Sequence, residues 1–302
     1  MAPVLDELPP GARVLLIRLR SLGDCVLTTP AIALLHAHRP DLQLAVMVES
    51  RFAGVYDSNP AVAQILPPSA YLAFSHRPQL TLNLHGGPQS ARITMASMAR
   101  RRAGFAHFRP AFAYNLRIPR AQEILGEERT VHTAEHAASA VFWLGVPKQD
   151  IPRASLYTAR KALERSPRAV IHPFASAPGK AWPADRFAAL AAWLRDEKRL
   201  PVTIIGAETD DFSPFQSFDI LRGADLSVLK RTLQSASLFA GNDSGPAHMA
   251  AAFGLKVAVL FGAPDAVIWA PWRTESEVIV SPEGLSTVTL EQVRSAVERL
   301  EA

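Results

Sequence analysis

The run Phe239-Ala240-Gly241-Asn242-Asp243-Ser244-Gly245-Pro246-Ala247-His248 passes from an apolar strand into an apolar helix through a turn of small and polar residues. Such a turn gathers free backbone N–H groups, a hydroxyl, a carboxylate and an imidazole at one helix N-terminus, where an anion is favoured. Structural roles also fit these residues: Asp243 or Ser244 as N-cap, Gly245-Pro246 as helix start, His248 as a satisfied buried imidazole. Their compactness favours a binding site. A second turn of the same logic, Ser21-Leu22-Gly23-Asp24, lies near the other end of the chain. One such turn in each half predicts a two-domain enzyme with its site between the halves.

Around Gly241 the pattern alternates between strand and helix. Ala169 to His172 reads as a strand, Trp182-Pro183 starts a helix ending near Lys198, and Pro201 to Ile205 is a strand ended by Gly206. Ser227 to Ala236 reads as a helix and Leu238 to Ala240 as a short strand. Ala247 to Phe253 is a helix stopped by Gly254, and Val257 to Phe261 a further strand. Leu290 to Leu300 is an amphipathic helix, a candidate for contact with the first domain.

The first half shows the same alternation. Strands are expected at Arg13 to Leu19, Gln43 to Val48, Gln64 to Leu66 and Leu80 to Leu84, with a short helix at Phe52 to Asp57. The Ser21–Asp24 turn leads into a helix through His38, which Pro30 should bend or break locally. Gly104 to Gly126, aromatic and basic, reads as loop and short elements. Thr133 caps a helix through Leu144 that stops at Gly145-Val146-Pro147. Repeated strand–helix–strand units predict an α/β protein with parallel sheets covered on both faces and ligands at the carboxyl ends of the strands. The boundary is expected between Val146 and Pro167, giving domains 1–155 and 156–302.

A chain of 302 residues with 48% apolar content can form two ordinary cores. The net charge of +4 is modest, but Arg100, Arg101, Arg102, Arg109, Arg117 and Arg120 share a region almost free of acids. Such a block suits nucleic acid, a phosphorylated ligand or a membrane surface. With no RNP-like strand, Cys/His finger or recognition-helix pattern, nucleic acid ranks lowest. The single cysteine, Cys25, excludes an intrachain disulfide and fits a reducing compartment. The opening residues lack a signal-peptide pattern and no apolar run is long enough to span a bilayer, so a soluble cytoplasmic protein is expected.

Asp24, directly after a glycine turn, is a candidate general base, with favouring of the helix terminus as its competing role. Ser176-Ala177-Pro178-Gly179-Lys180-Ala181 resembles a P-loop only superficially, because the first glycine is absent and Ala181 stands where Ser or Thr should bind magnesium. Lys180, with Ser176, is a candidate for neutralising phosphate; a solvated loop lysine is its plain alternative. Glu208 ends a central strand, where an acid can bond a ribose or sugar diol, or simply open a local helix. His85, beside Gly86 and Gly87, is a candidate for acceptor contact. His132 and His136 share a helix face but lack a third ligand and the HExxH order, so no metal site is expected.

As a set, Ile17-Arg18-Leu19-Arg20-Ser21-Leu22-Gly23-Asp24, Thr28-Thr29-Pro30, His172-Pro173, Lys180-Ala181-Trp182-Pro183, Ile205-Gly206-Ala207-Glu208 and Gly241 to His248 resemble the bacterial lipopolysaccharide heptosyltransferases. These form family 9 of the glycosyltransferases. Phe261-Gly262 and Trp269-Ala270-Pro271-Trp272 resemble the closing motifs of that family. The resemblance implies a GT-B fold, two Rossmann-like domains facing a central cleft. It implies inverting transfer of heptose from ADP-heptose to the lipopolysaccharide inner core, with no metal and no cofactor. Asp24 falls on the family's catalytic aspartate, Lys180 on its phosphate-binding lysine and Glu208 on its donor-binding acid. Asp243, Ser244, Gly245 and His248 fall on its Asp-Ser/Thr-Gly motif and histidine, with Ser176 also on the donor side. Ser21, Gly23, His85, Arg100, Arg101 and Arg102 are the acceptor-side candidates.

The implied partners are ADP-heptose, a lipid-linked inner-core acceptor and peripheral contact with the inner membrane; a monomer is expected. The region between Glu208 and Asp243 looks compressed and carries Phe212, Phe215 and Phe218, which leaves adenine recognition open. A sugar-nucleotide epimerase, or a non-enzymatic nucleotide- or carbohydrate-binding protein, would use a similar cleft.

Overall fold

A computed structural model of the chain describes residues 3–159, 164–175, 181–262 and 266–301. The chain divides into two compact units, Met1–Ala159 and Arg160–Ala302. The first contains β1 (Arg13–Ile17), α1 (Leu22–His38), β2 (Gln43–Met47), β3 (Gln64–Leu66), α2 (Ala70–His76) and β4 (Leu80–Asn83). Then come α3 (Gly87–Ala96), β5 (Arg101–Phe105), β6 (Leu116–Ile118), α4 (Ala121–Leu125) and α5 (Thr133–Leu144). Its strands form a parallel sheet in the order β3-β2-β1-β4-β5-β6. Leu15 and Ile17 pack with Ala45, Met47 and Leu66, and with Ala73 of α2 and Ile93 of α3. Helices α1 and α5 pack on one another.

One local expectation is corrected here, the cap of α5, and two others are made specific. Helix α1 runs unbroken through Pro30. A proline lacks the N–H that would bond the carbonyl four residues back, and the Thr29 hydroxyl donates to that Val26 carbonyl instead, at 2.8 Å. The short elements expected from Gly104 to Gly126 are the end of β5, the 3-10 turn Ala111–Ala113, β6 and α4. Gly104 is buried because the Tyr114 ring lies 2.5 Å from where a Cβ would stand, so the aromatic content of this stretch fills the sheet edge. Helix α5 is capped by His132 and not Thr133. His132 Nδ1 accepts the Ala134 N–H at 3.1 Å, while the Glu135 carboxylate accepts the His132 N–H at 2.7 Å.

The second unit contains β7 (Ala169–His172), α6 (Ala184–Asp196), β8 (Val202–Gly206), β9 (Asp219–Arg222), α7 (Leu226–Ser235) and β10 (Leu238–Asn242). Next are α8 (Gly245–Phe253), β11 (Lys256–Phe261), α9 (Ala266–Trp269), β12 (Ser276–Val280) and α10 (Leu290–Glu301). The sheet order is β12-β11-β10-β7-β8-β9, all parallel. Counted from β7, this repeats the order of the first sheet. Phe212 and Phe215 are buried in the core with Trp182 and Phe187, which accounts for the aromatic residues in the compressed region. Helix α10 places Val293, Val297 and Leu300 in that same core, against β11, β12 and α6.

Candidate functional site

In a doubly wound sheet the strand order reverses at one point, and ligands bind beyond the carboxyl ends of the strands there. In the first unit the reversal lies between β1 and β4, where Ile17 is paired with Asn83. The two chain exits are Arg18–Asp24 and His85–Gly87. Asp24 occupies the first turn of α1, where Oδ2 accepts the Ser21 N–H and the Ser21 hydroxyl, each at 3.2 Å. Arg18 Nη1 stands 3.5 Å from Oδ1, while Arg18 Nε donates to Thr28 Oγ1 at 3.2 Å. Ser21 thus orients the carboxylate, Gly23 is buried beneath the turn, and the Asp24 side chain remains 20% exposed.

The second exit is shaped by Asn83, which sequence reasoning passed over. Its Oδ1 accepts the N–H groups of His85 and Gly86 at 2.9 and 3.0 Å, and its Nδ2 donates to Thr94 Oγ1 and Tyr114 Oη. His85, Gly86, Gly87, His107, Phe108 and Arg109 line a cavity of about 670 Å³. Gly86 has φ +72°, and a Cβ there would meet the Phe108 ring at 3.0 Å. Burial, then Arg18 and Arg20, lower the His85 pKa. Arg18 and Asp24 act on His136 as well, which stacks on Phe105 at 3.9 Å. Burial first, then Arg18, hold His136 down to about 4. The pair read for metal spacing is therefore split: His132 caps a helix, and His136 belongs to the Asp24 neighbourhood.

Arg100, Arg101 and Arg102 do not join this site. Arg101 opens β5 opposite Leu80, at the amino edge of the sheet, whereas Asn83 and Gly104 mark the carboxyl edge. Arg101 is paired with Glu7, and Arg102 donates to the carbonyls of Ala113 and Ala99 at 3.1 and 3.0 Å. Charge density in the sequence located a basic segment but not the edge it occupies.

In the second unit the order reverses between β7 and β10, with Gly241 opposite His172. Asn242 Nδ2 donates to the Pro173 carbonyl at 2.8 Å and its Oδ1 accepts the Trp182 N–H at 3.0 Å. It thereby links Pro173 to Trp182; the candidates Ser176 and Lys180 lie outside the described residues. Asp243 follows on the turn, its N–H bonded to the Leu260 carbonyl at 3.0 Å. Ser244 caps α8 with extended backbone, and Gly245 is the first helical residue. The Ser244 hydroxyl has no hydrogen-bond partner among the described residues. His248 is buried one turn later, edge-on to Trp269 at 6.4 Å.

Beyond β8, Glu208 rims a cavity of about 460 Å³ lined also by His172, Gly206, Leu221, Gly223 and Pro246. Gly223 has φ +58°, and Glu208 Oε2 lies 2.5 Å from where its Cβ would be, so glycine is required for the acid to lie there. His172 is held down to about 4 by burial, and its Nδ1 has no partner among the described residues.

Two largely enclosed neutral imidazoles give a pH dependence of fixed sign. Unfolded, His136 and His172 titrate near ~6.5. Folded, both titrate at about 4. Between these values the unfolded chain binds more protons, so stability is full above the upper value and declines as pH falls toward the lower. Each group accounts for on the order of 3 kcal/mol. Denaturant melts of His172→Asn across that range should show a shallower acid decline than the parent chain. Parallel curves would remove His172 from the account.

The family model for glycosyltransferase family 9 (heptosyltransferase) matches residues 77–295. The chain belongs to glycosyltransferase family 9. This family 9 member is 30% identical to lipopolysaccharide heptosyltransferase 3 of Escherichia coli (strain K12) over 158 residues, 43% of the chain. It spans less than half of that relative, 45% of its length. The glycosyltransferase family 9 structure from Veillonella parvula DSM 2008 is similar with a TM-score of 0.84 at 19% identity, over 96% of this chain and 97% of that one. E. coli heptosyltransferase WaaC, solved with ADP, gives 0.78 at 18% identity, over 95% and 99%. The family 9 chain has the GT-B architecture of two Rossmann-like units expected from its sequence. Among the described residues no group of three or more His, Cys, Asp or Glu could hold a metal ion, and no helix is long and apolar enough to cross a membrane.

Proposed function

We propose that this chain transfers heptose from ADP-heptose to a hydroxyl of a lipid-linked lipopolysaccharide inner core, with inversion at the anomeric carbon. The observation that carries the reading is the Asp24 carboxylate, held at the carboxyl end of β1 by Ser21 and facing Arg18. The first unit takes the acceptor and the second the donor. The acceptor oxygen attacks the anomeric carbon, the bond from that carbon to the diphosphate oxygen breaks, ADP departs, and Asp24 takes the hydroxyl proton. Charge growing on the diphosphate is met by the N-terminus of α8, the Ser244 hydroxyl and Lys180. Asp243 bonds a heptose hydroxyl, and His248 supports that turn.

The adenosine occupies the Glu208 cavity, whose Ile205, Leu221 and Leu229 give an apolar wall and whose acid bonds the ribose diol. ADP in the similarly folded WaaC supports a nucleotide diphosphate as ligand. The acceptor sugar occupies the His85–Arg109 cavity. The protein works as a monomer at the cytoplasmic face of the inner membrane.

A mass-spectrometric assay with ADP-heptose and defined inner-core acceptors tests the reading. Acceptor-dependent ADP release with a heptosylated product is expected; isomerised donor without acceptor would sink it. Glu208→Ala should weaken ADP binding by about 10- to 100-fold, the worth of a hydrogen bond to a charged group. Calorimetric titration showing unchanged affinity would take Glu208 out of the donor site.

A further inference from the structure

We propose that the outer side of α2, α3 and the 3-10 turn Ala111–Ala113 docks the protein on an anionic lipid surface. The proposal rests on the reading that the acceptor is lipid-linked. Helices α2 and α3 cover one face of the first sheet, since Ala73 and Ile93 enter the same core with Leu15, Ile17, Ala45 and Met47. The helices pack against each other, and α3 packs against the Ala111–Ala113 turn. Large apolar side chains stand on their outward side: Tyr71 is 74% exposed and Phe74 53% on α2, Met95 41% on α3, Met98 72% just beyond it, and Phe112 71% on the turn. Tyr71 and Phe74 are three apart on α2 and share a side of that helix. Large apolar side chains grouped on a water-facing surface mark an interaction site.

The charge pattern selects the occupant. No Asp or Glu occurs between Asp57 and Glu123, a stretch holding eight arginines. Of these, Arg77, Arg92 and Arg100 are exposed and interleaved with the apolar side chains. Residues 1–159 carry sixteen Arg and Lys against eleven Asp and Glu, and residues 160–302 sixteen against seventeen. The first unit thus carries all of the net positive charge. Aromatic and thioether side chains at headgroup depth, with guanidinium groups on lipid phosphates, satisfy both features of this face. Gly87 and Pro88, at the start of α3, line the 670 Å³ cavity beside His85. Helix α3 therefore carries the proposed acceptor cavity at its first turn and exposes Arg92 and Met95 toward the lipid farther along.

Co-sedimentation of the full chain with vesicles of phosphatidylethanolamine and phosphatidylglycerol tests the surface, with pure phosphatidylcholine vesicles as the neutral comparison. The parent chain should pellet with the anionic vesicles only. Triple substitution of Tyr71→Ser, Phe74→Ser and Met98→Ser, and double substitution of Arg77→Gln and Arg92→Gln, should each weaken binding by roughly tenfold or more. Both variants should keep the parent's circular dichroism and ADP affinity. A parent chain that stays in the supernatant, or a triple variant that pellets equally, overturns the proposal. So does a parent dimer in analytical ultracentrifugation that the triple variant dissociates while vesicle binding persists. Transfer to a delipidated inner-core oligosaccharide is read separately. Its absence alongside normal vesicle binding counts against the proposed chemistry and leaves the surface standing.

Discussion

Asp24→Asn is expected to lower the turnover of heptose transfer by about 10²- to 10⁴-fold, the usual worth of a positioned general base. The amide keeps the shape of the side chain and can still accept the Ser21 N–H that Asp24 accepts at 3.2 Å. It cannot take a proton. ADP affinity should hold within about twofold, because Asp24 lies in the first unit and makes no ground-state contact with the nucleotide in the proposed reaction. If Asp24 serves only the N-terminus of α1, the substitution would instead cost about 1 kcal/mol of stability and leave turnover alone. Turnover and melting measured on one preparation separate the two outcomes, and wild-type turnover would remove Asp24 as base.

The largest stability effect is expected at Trp182→Ala, a loss of about 3–5 kcal/mol. Trp182 is fully buried, meets the Phe187 ring edge-on at 4.8 Å and donates its indole N–H to the Val288 carbonyl at 2.9 Å. Truncation leaves a cavity in the second core and weakens the support of the Val288 carbonyl. Its backbone N–H, which alanine keeps, donates to Asn242 Oδ1, so a shift of this segment into the cavity should reach the end of β10 and lower ADP affinity. Denaturant midpoints with and without ADP measure both effects. A shift below about 1 kcal/mol would mean that the site collapses around the missing ring.

Much of this fold was legible where one physical signal dominated. Val14 to Ile17 and Ala169 to Ile171 are buried, and such apolar runs read directly as central parallel strands. Glycine turns after β1 and β10 located the two exits carrying Asp24 and Ser244. The strands at the margins were less visible. In β9, Asp219, Ile220 and Arg222 are exposed, so edge pairing leaves no apolar pattern to find. In β5, Arg101 and Arg102 precede the buried Ala103 to Phe105, and charge outweighed the short apolar tail.

Site residues set by distant contacts were equally hidden. Asn83 is an ordinary strand-end asparagine until Tyr114 and Thr94 are folded onto it. His136 resembles half of a metal pair until Phe105 stacks on its ring. The roles of Arg100 to Arg102 depend on register, with Arg101 opposite Leu80, and composition carries no register.

Each sheet draws all its strands from one continuous stretch of chain, β1–β6 within 13–118 and β7–β12 within 169–280. During synthesis the amino-terminal half therefore possesses every partner it needs before the first strand of the other sheet is made. Within that half, however, β1 pairs with β2 on one side and waits for β4 on the other. Between the emergence of Ile17 and that of Asn83, an apolar strand of Val14, Leu15, Leu16 and Ile17 has an open hydrogen-bonding edge. That interval is when the nascent chain is most open to pairing with a neighbour, and the arrival of Leu80 to Asn83 closes it.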